Sequence, residues 1–446
     1  MEPSAVEPAG TRASWPLPRP VSLVVAIALI GVFVWIGSSL WSQLNPAQKP
    51  NLPTITIYHP ILDDYVVYWS AGRMVVNGQA AHLYDQLEVK DVQAKATGQR
   101  RWEVVDLPFF NPPFIAAFMA PFALLPVKAS ALLFMALSLG GLALAMRQLL
   151  GGLSRLEVAL WSVGIVSSMP FYYTLQHGQF SFLLLLLFTS VYFMLKRRND
   201  APAGAVLALL LMKPQLLLLP LIFLVADRRY AALRAFAITA GVLALSSLLV
   251  AGPGGSLDYV KLMVQATGWH NENGITIFAM FGWNAFFTDV LGNTDFSLVT
   301  LLALVAAIGT IGVCVASWRS ASNRDDTNFD LRYTVLMLGT LLVSPHLYGQ
   351  DLIIGVLPLV LLYRSAYDSR MKLTLAATFV IAWGVMYQHF NLLNATGVNF
   401  VTLMMFGLLL LGAWQLQAFE RLRLLAATFR ASRVETASLY VNDEAS

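Results

Sequence analysis

The sequence predicts an all-α, polytopic membrane protein. Three observations carry that reading: the scarcity of charge, a succession of apolar runs, and the one-sided placement of Lys and Arg between those runs. Of 446 residues, 57% are hydrophobic and 12% are charged, whereas a soluble domain carries about 25% charged residues. The mean hydropathy is +0.64. So little polar material does not cover a water-soluble fold, and the same numbers exclude an intrinsically disordered chain. The formal charge is only +4, and the basic residues are spread over many short segments, which leaves no nucleic-acid-binding patch. The pI near 9.1 fits basic residues that anchor helices at a cytoplasmic face. The single cysteine, Cys314, excludes an intramolecular disulfide and a Cys-based metal site. It sits in an apolar run and reads as a small buried hydrophobe.

The apolar runs come in order at 21–41, 128–147, 157–175, 180–196, 203–212, 216–226, 231–251, 298–318, 330–344, 352–364, 371–388 and 400–418. They make about twelve membrane segments, with both chain ends on one side. The first run follows Arg12 and Arg19 and lacks a small-residue cleavage pattern, so it reads as a retained span rather than a signal peptide. With that end inside, twenty of the 29 basic residues fall on the cytoplasmic side, as the positive-inside rule expects. Residues 1–20 and 432–446 read as cytoplasmic tails around a membrane domain at 21–431.

Two outer loops are long, at about 42–127 and 252–297. In the first, 64–77 has apolar residues at helical spacing and ends at Asn77-Gly78, a C-cap signal. The apolar stretch 112–125 is too short to span and reads as a re-entrant or membrane-skimming helix. The runs 203–212 and 216–226 are likewise too short to cross about 30 Å of hydrocarbon. Basic turns flank the pair on both sides, so it dips in and returns, with Lys213-Pro214-Gln215 at its tip. Broken backbone at that depth is tolerated where it lines a cavity or is buried in protein.

The unusual polar residues then collect on the outer face, and all six histidines fall there. A lysine inside an apolar stretch costs about 2.5–3.5 kcal/mol on insertion scales. Lys213 is therefore a functional candidate, and its natural partner is an anion such as a phosphate. Asp63 and Asp64 open a helix. Asp63 suits its N-cap, and Asp64 suits a general base for an alcohol. His346 is a candidate to bind phosphate or orient a sugar, with Asp351 expected to cap the helix after it. His177, Gln179, Gln215 and Asn111 complete the candidates. No Gly-rich phosphate loop or metalloprotease signature accompanies them.

These stretches resemble glycosyltransferase family 87, a membrane family of the GT-C type. The resemblance rests on Asp64-Tyr65-Val66-Val67-Tyr68-Trp69-Ser70-Ala71-Gly72-Arg73-Met74, with Gly78 and Leu83-Tyr84-Asp85. It continues through Phe110-Asn111-Pro112-Pro113-Phe114, Ala120 to Pro126, Gly178-Gln179, Lys213-Pro214-Gln215 and Ser344-Pro345-His346 ahead of Asp351. Asn111 departs from the pattern, which more usually has tyrosine before the two prolines.

The resemblance implies a GT-C-like fold with structured outer loops. It implies inverting transfer of a sugar, often mannose, from a polyprenyl-phosphate donor to a lipid or glycan acceptor, without a metal or other cofactor. It maps the catalytic aspartate to Asp64 and the donor-phosphate contacts to Lys213 and His346. Two other readings stay open: transfer of another lipid-linked sugar such as a pentose, and transport of a lipid-linked substrate.

Overall fold

The structure, a computed structural model, describes residues 63–98, 107–266, 269, 279–292, 296–319, 328–366 and 368–416. The predicted first span 21–41 and both tails lie outside the described residues. Among the described residues the regular structure is helical, apart from a two-residue antiparallel pairing of β1 (Met280–Phe281) with β2 (Leu347–Tyr348).

Helix α1 (Asp63–Val76) closes at Gly78, where the amides of Gly78 and Gln79 bond the carbonyls of Val75 and Met74. Asp85 then caps α2 (Gln86–Thr97) by accepting from the amides of Leu87 and Glu88. The stretch predicted to be re-entrant forms α3 (Pro113–Met119) and a short 3-10 turn, Phe122–Leu124.

Next come α4 (Val127–Leu149), α5 (Arg155–Val166), α6 (Met169–His177) and α7 (Ser181–Lys196). The predicted span 157–175 is bent by 50° between α5 and α6. The bend falls at Ser167-Ser168, just before Pro170, and the Ser168 hydroxyl caps the new helix. This is the break that a proline near a helix start dictates.

Helices α8 (Asp200–Ala208) and α9 (Leu218–Ala226) are the two arms of the predicted dip. Two 3-10 turns, Leu209–Met212 and Pro214–Leu216, flank Lys213 at the tip, whose backbone leaves the helical region. Helix α10 (Tyr230–Ala266) breaks at Gly252, with φ 69° and ψ 175°. The sequence reading ended this helix at 251 and began a loop there. The chain instead resumes helix, because Pro253 after a left-handed glycine sits at a first-turn position, where its missing N–H costs nothing.

The remaining helices are α11 (Trp283–Leu291), α12 (Phe296–Arg319), α13 (Phe329–Val343), α14 (Val356–Arg364), α15 (Ser369–Tyr387), α16 (His389–Thr396) and α17 (Phe400–Gln415). Among the described residues, α4, α10 and α12 are long and apolar enough to cross a membrane, or five segments if each bent pair is one span. The other predicted spans fall on apolar helices of 9 to 16 residues.

Paired charges tie the predicted inner turns together at one end of the bundle. Arg229 donates to Asp200 and Asp227 at 2.7 Å each, and Arg332 donates to Asp227 at 2.6 Å. Lys196 pairs with Asp330 at 2.5 Å, and Arg364 donates to the carbonyls of Leu149 and Gly151 at 2.8 Å. Burial raises the Asp227 carboxyl, but hydrogen bonds and charge from the two arginines outweigh it and hold it below the usual carboxylate range. The feet of the α8–α9 hairpin, Asp200 and Arg229, belong to this cluster, so its Lys213 tip points to the opposite end.

Close approach of α8 to α10 sets that hairpin's position. A Cβ on Gly204 would lie 1.9 Å from the Ala232 carbonyl oxygen, so only glycine fits without displacing backbone. Gly204→Ala is expected to cost about 1–3 kcal/mol by overpacking, read as a lower midpoint of thermal unfolding in detergent. Gly241→Ala, with nothing within 4 Å of the new atom, is expected to be neutral or gain up to about 1 kcal/mol.

Candidate active site

Helix α1 is held by hydrogen bonds along its length, which fixes the position of Asp64 in its first turn. The Tyr65 and Ser130 hydroxyls lie 2.5 Å apart, the Trp69 indole donates to the Leu125 carbonyl at 3.1 Å, and Arg73 donates to the Ala123 carbonyl at 3.2 Å. Gly72 lets α3 approach, since a Cβ there would be 2.6 Å from the Met119 backbone. Tyr68, one helical turn after Asp64, shares its face. Its hydroxyl donates to Gln179 Oε1 at 2.7 Å, and Gln179 Nε2 donates to Asp64 Oδ2 at 2.6 Å. The glutamine is thereby oriented as a donor to the carboxylate, a bond that favours its ionised form.

Gln179 follows the left-handed C-cap Gly178 of α6 and precedes α7. His177-Gly178 is thus a helix end, and it aims the next residues at the site. Two residues on, Ser181 donates to Asp351 Oδ1 at 2.8 Å. Lys213 Nζ lies 2.6 Å from both oxygens of the same carboxylate. The pair is largely removed from water, with Lys213 14% and Asp351 1% exposed. Asp351 was expected to cap a helix. It lies instead within a 3-10 turn, Gly349–Gly355, and serves as the internal counter-charge of Lys213. The anion that Lys213 demanded is therefore supplied by the chain itself, because an unpaired ammonium at this depth is too costly.

A cavity of 1410 Å³ joins these groups, and Asp64, Asn111, His177, Gln179, Lys213, Gln215 and His346 all line it. Asp351 stands behind Lys213. Asp63 opens α1, and its side chain lies outside the described residues. Asn111 is buried, and its amide donates to the Met212 carbonyl at 3.0 Å, so it fixes the backbone beside Lys213. Burial pulls the His346 imidazole below its ordinary pKa, so it is a neutral hydrogen-bonding group at pH 7 rather than a cation.

Of the six histidines, His177, His346 and His389 line the cavity and His82 does not. His59 and His270 lie outside the described residues. His82, Asp85 and Glu88 bring ligand-type atoms within 4.8 Å of one another, but Asp85 already caps α2.

The sequence reading missed Tyr68, Lys128, Gln176, Ser181 and Gln350. All but Ser181 line the cavity. Spacing offered a signal for two of them, Tyr68 one turn after Asp64 and Ser181 two residues after Gln179. Gln176 and Gln350 stand beside His177 and Asp351 in polar stretches that the sequence does mark, and nothing local marked Lys128.

The family model of glycosyltransferase family 87 matches residues 109–345, just over half of the chain. The chain belongs to glycosyltransferase family 87. No curated protein and no solved structure matches it. The family match spans Asn111, Gln179 and Lys213 and ends at Pro345, one residue before His346. Membership makes the chain a membrane glycosyltransferase, with a sugar donor and an acceptor.

Gln179→Leu removes the bonds to both the Tyr68 hydroxyl and the Asp64 carboxylate, so it is expected to lower stability by about 1–3 kcal/mol, read as a lower midpoint of thermal unfolding in detergent. An unchanged midpoint would mean that water replaces the amide.

Proposed function

We propose that this family 87 enzyme moves a hexose, mannose by the family resemblance, from a polyprenyl-phosphate donor to a lipid or glycan acceptor. The observation that carries the reading is the amphiphilic character of one cavity. Its polar part holds Asp64, Gln179, Lys213 and His346, and it continues along α12 past Ala303, Leu304, Ala307, Ile308 and Ile311. Leu304 and Ile308 are exposed on the outer face of that apolar helix, where a bilayer supplies their natural solvent. A donor with a polar head and a hydrocarbon tail matches that combination.

In the proposed step the Asp64 carboxylate takes the proton of the acceptor hydroxyl as its oxygen attacks the anomeric carbon. The bond from that carbon to the phosphate oxygen breaks, and the leaving polyprenyl phosphate keeps the electron pair. Attack opposite the leaving group inverts the anomeric centre. An ammonium has three donors. Asp351 occupies two of those on Lys213, so one N–H remains for the departing phosphate, with His346 as a neutral helper. Preorganised donors of this kind stabilise charge as it develops.

The positive-inside bias supports a multi-pass arrangement in the cell membrane. Both chain ends are then cytoplasmic and the cavity is extracytoplasmic.

The test is incubation of purified protein with radiolabelled polyprenyl-phosphate mannose and membrane lipids. Label in a new glycosylated product is expected, and movement of label without a new covalent bond would favour transport. Asp64→Asn should lower transfer by about 10²–10⁴-fold with folding and donor binding retained. Asp258→Asn, an exposed residue that, among the described residues, pairs only with Lys261, serves as the control. Near-normal transfer in Asp64→Asn would overturn the assignment of the base.

A further inference from the structure

The end of α6 and the segment after β2 build one polar wall of the cavity. Tyr173, Gln176 and His177 lie about one helical turn apart on α6, so they share a face, and all three line the cavity together with Tyr348 and Gln350. The two pieces are locked to each other. The Thr174 hydroxyl lies 3.3 Å from the Gln350 carbonyl oxygen, and a Cβ on Gly349 would lie 2.7 Å from the Tyr173 ring. Gln350 is buried at this junction. The Gln176 Oε1 is also buried and, among the described residues, has no hydrogen-bond partner. A buried amide oxygen left unbonded is costly, so a donor from a ligand completes it.

Each piece of this wall leads directly to one of the reacting contacts. After Gln176, the Gly178 cap delivers Gln179 to the Asp64 carboxylate. After Gln350, Asp351 holds Lys213. In the proposed transfer the acceptor oxygen stands at Asp64 and the departing phosphate at Lys213, with the anomeric carbon passing between them. The ring that carries this carbon then lies against the wall that joins the two. An amide side chain has two N–H donors and a carbonyl acceptor. That suits a hydroxyl, which both donates and accepts, and it adds no charge to a site already furnished with ions.

We propose that Gln176 and Gln350 bind hydroxyl groups of the transferred sugar and so set which sugar the enzyme accepts. The proposal rests on the reading that Asp64 and Lys213 flank the transfer. Its substrate class is a neutral sugar with free ring hydroxyls. A site built to bond a hydroxyl rejects an analogue that lacks it far more strongly than an apolar pocket rejects a missing methylene, because the buried amides are then left unpaired.

The test is transfer by the full-length protein in nanodiscs, with membrane lipids as acceptor. The donors are polyprenyl-phosphate mannose and its 2-, 3-, 4- and 6-deoxy analogues. The wild type is expected to favour mannose over at least one analogue by about tenfold or more in kcat/KM. Gln176→Met and Gln350→Met, close in volume but without the amide, should each lower kcat/KM for mannose about tenfold. For the analogue that lacks the bonded hydroxyl the loss should shrink to about threefold or less. Gln176→Ala and Gln350→Ala should give the same ratios. A merely structural role would lower transfer from every donor alike, and that result, or no loss at all, overturns the proposal. Equal transfer from mannose and all its analogues by the wild type overturns it too, while leaving the transferase reading in place. A wild type that transfers none of these sugars defeats the polyprenyl-phosphate-mannose reading, and this proposal falls with it.

Discussion

One turn of chain between α6 and α7 governs the geometry of the site. Gln179 reaches the Asp64 carboxylate, and Ser181, two residues later, reaches the Asp351 carboxylate that holds Lys213. A helix cannot place residues two apart on the same face, but a left-handed cap followed by a helix start can direct them to different partners. Gly178, with φ 65°, supplies that cap. The acidic and basic sides of the cavity are thus referred to a common piece of backbone.

The same economy of charge organises the opposite end. Arg229, Asp227, Asp200 and Arg332 form a connected set that joins the starts of α8, α10 and α13. Buried ions persist only when paired and hydrogen-bonded, and these pairs clamp the feet of the α8–α9 hairpin. The hairpin can therefore carry a broken, non-helical tip. What looks in sequence like two defective spans is a clamp at one end and a presented lysine at the other.

Much of this was legible in the sequence, and the reasons differ from element to element. The dip at Lys213 could be read because two apolar runs were each too short, and a charge stood between them. The α1 helix could be read from its spacing and its Asn77-Gly78 end. Three features were not legible. The continuation of α10 past Gly252 looked like a loop, because glycine and proline punctuate both loops and helix restarts. The Lys213–Asp351 pair joins residues 138 apart, and no local pattern reports such a contact. Lys128 was missed, because only the assembled cavity walls bring it to the site.

The central claim is that Asp64 and Lys213 face one cavity that takes a lipid phosphate, with the hydrocarbon chain along α12. An experimental structure of the protein in a bilayer with polyprenyl phosphate bound tests it most directly. The account predicts phosphate density in the cavity between residues 64 and 213, with the tail against Leu304 and Ile308. Phosphate density at the Arg229–Arg332 end, or side chains 64 and 213 opening into separate cavities, would contradict it.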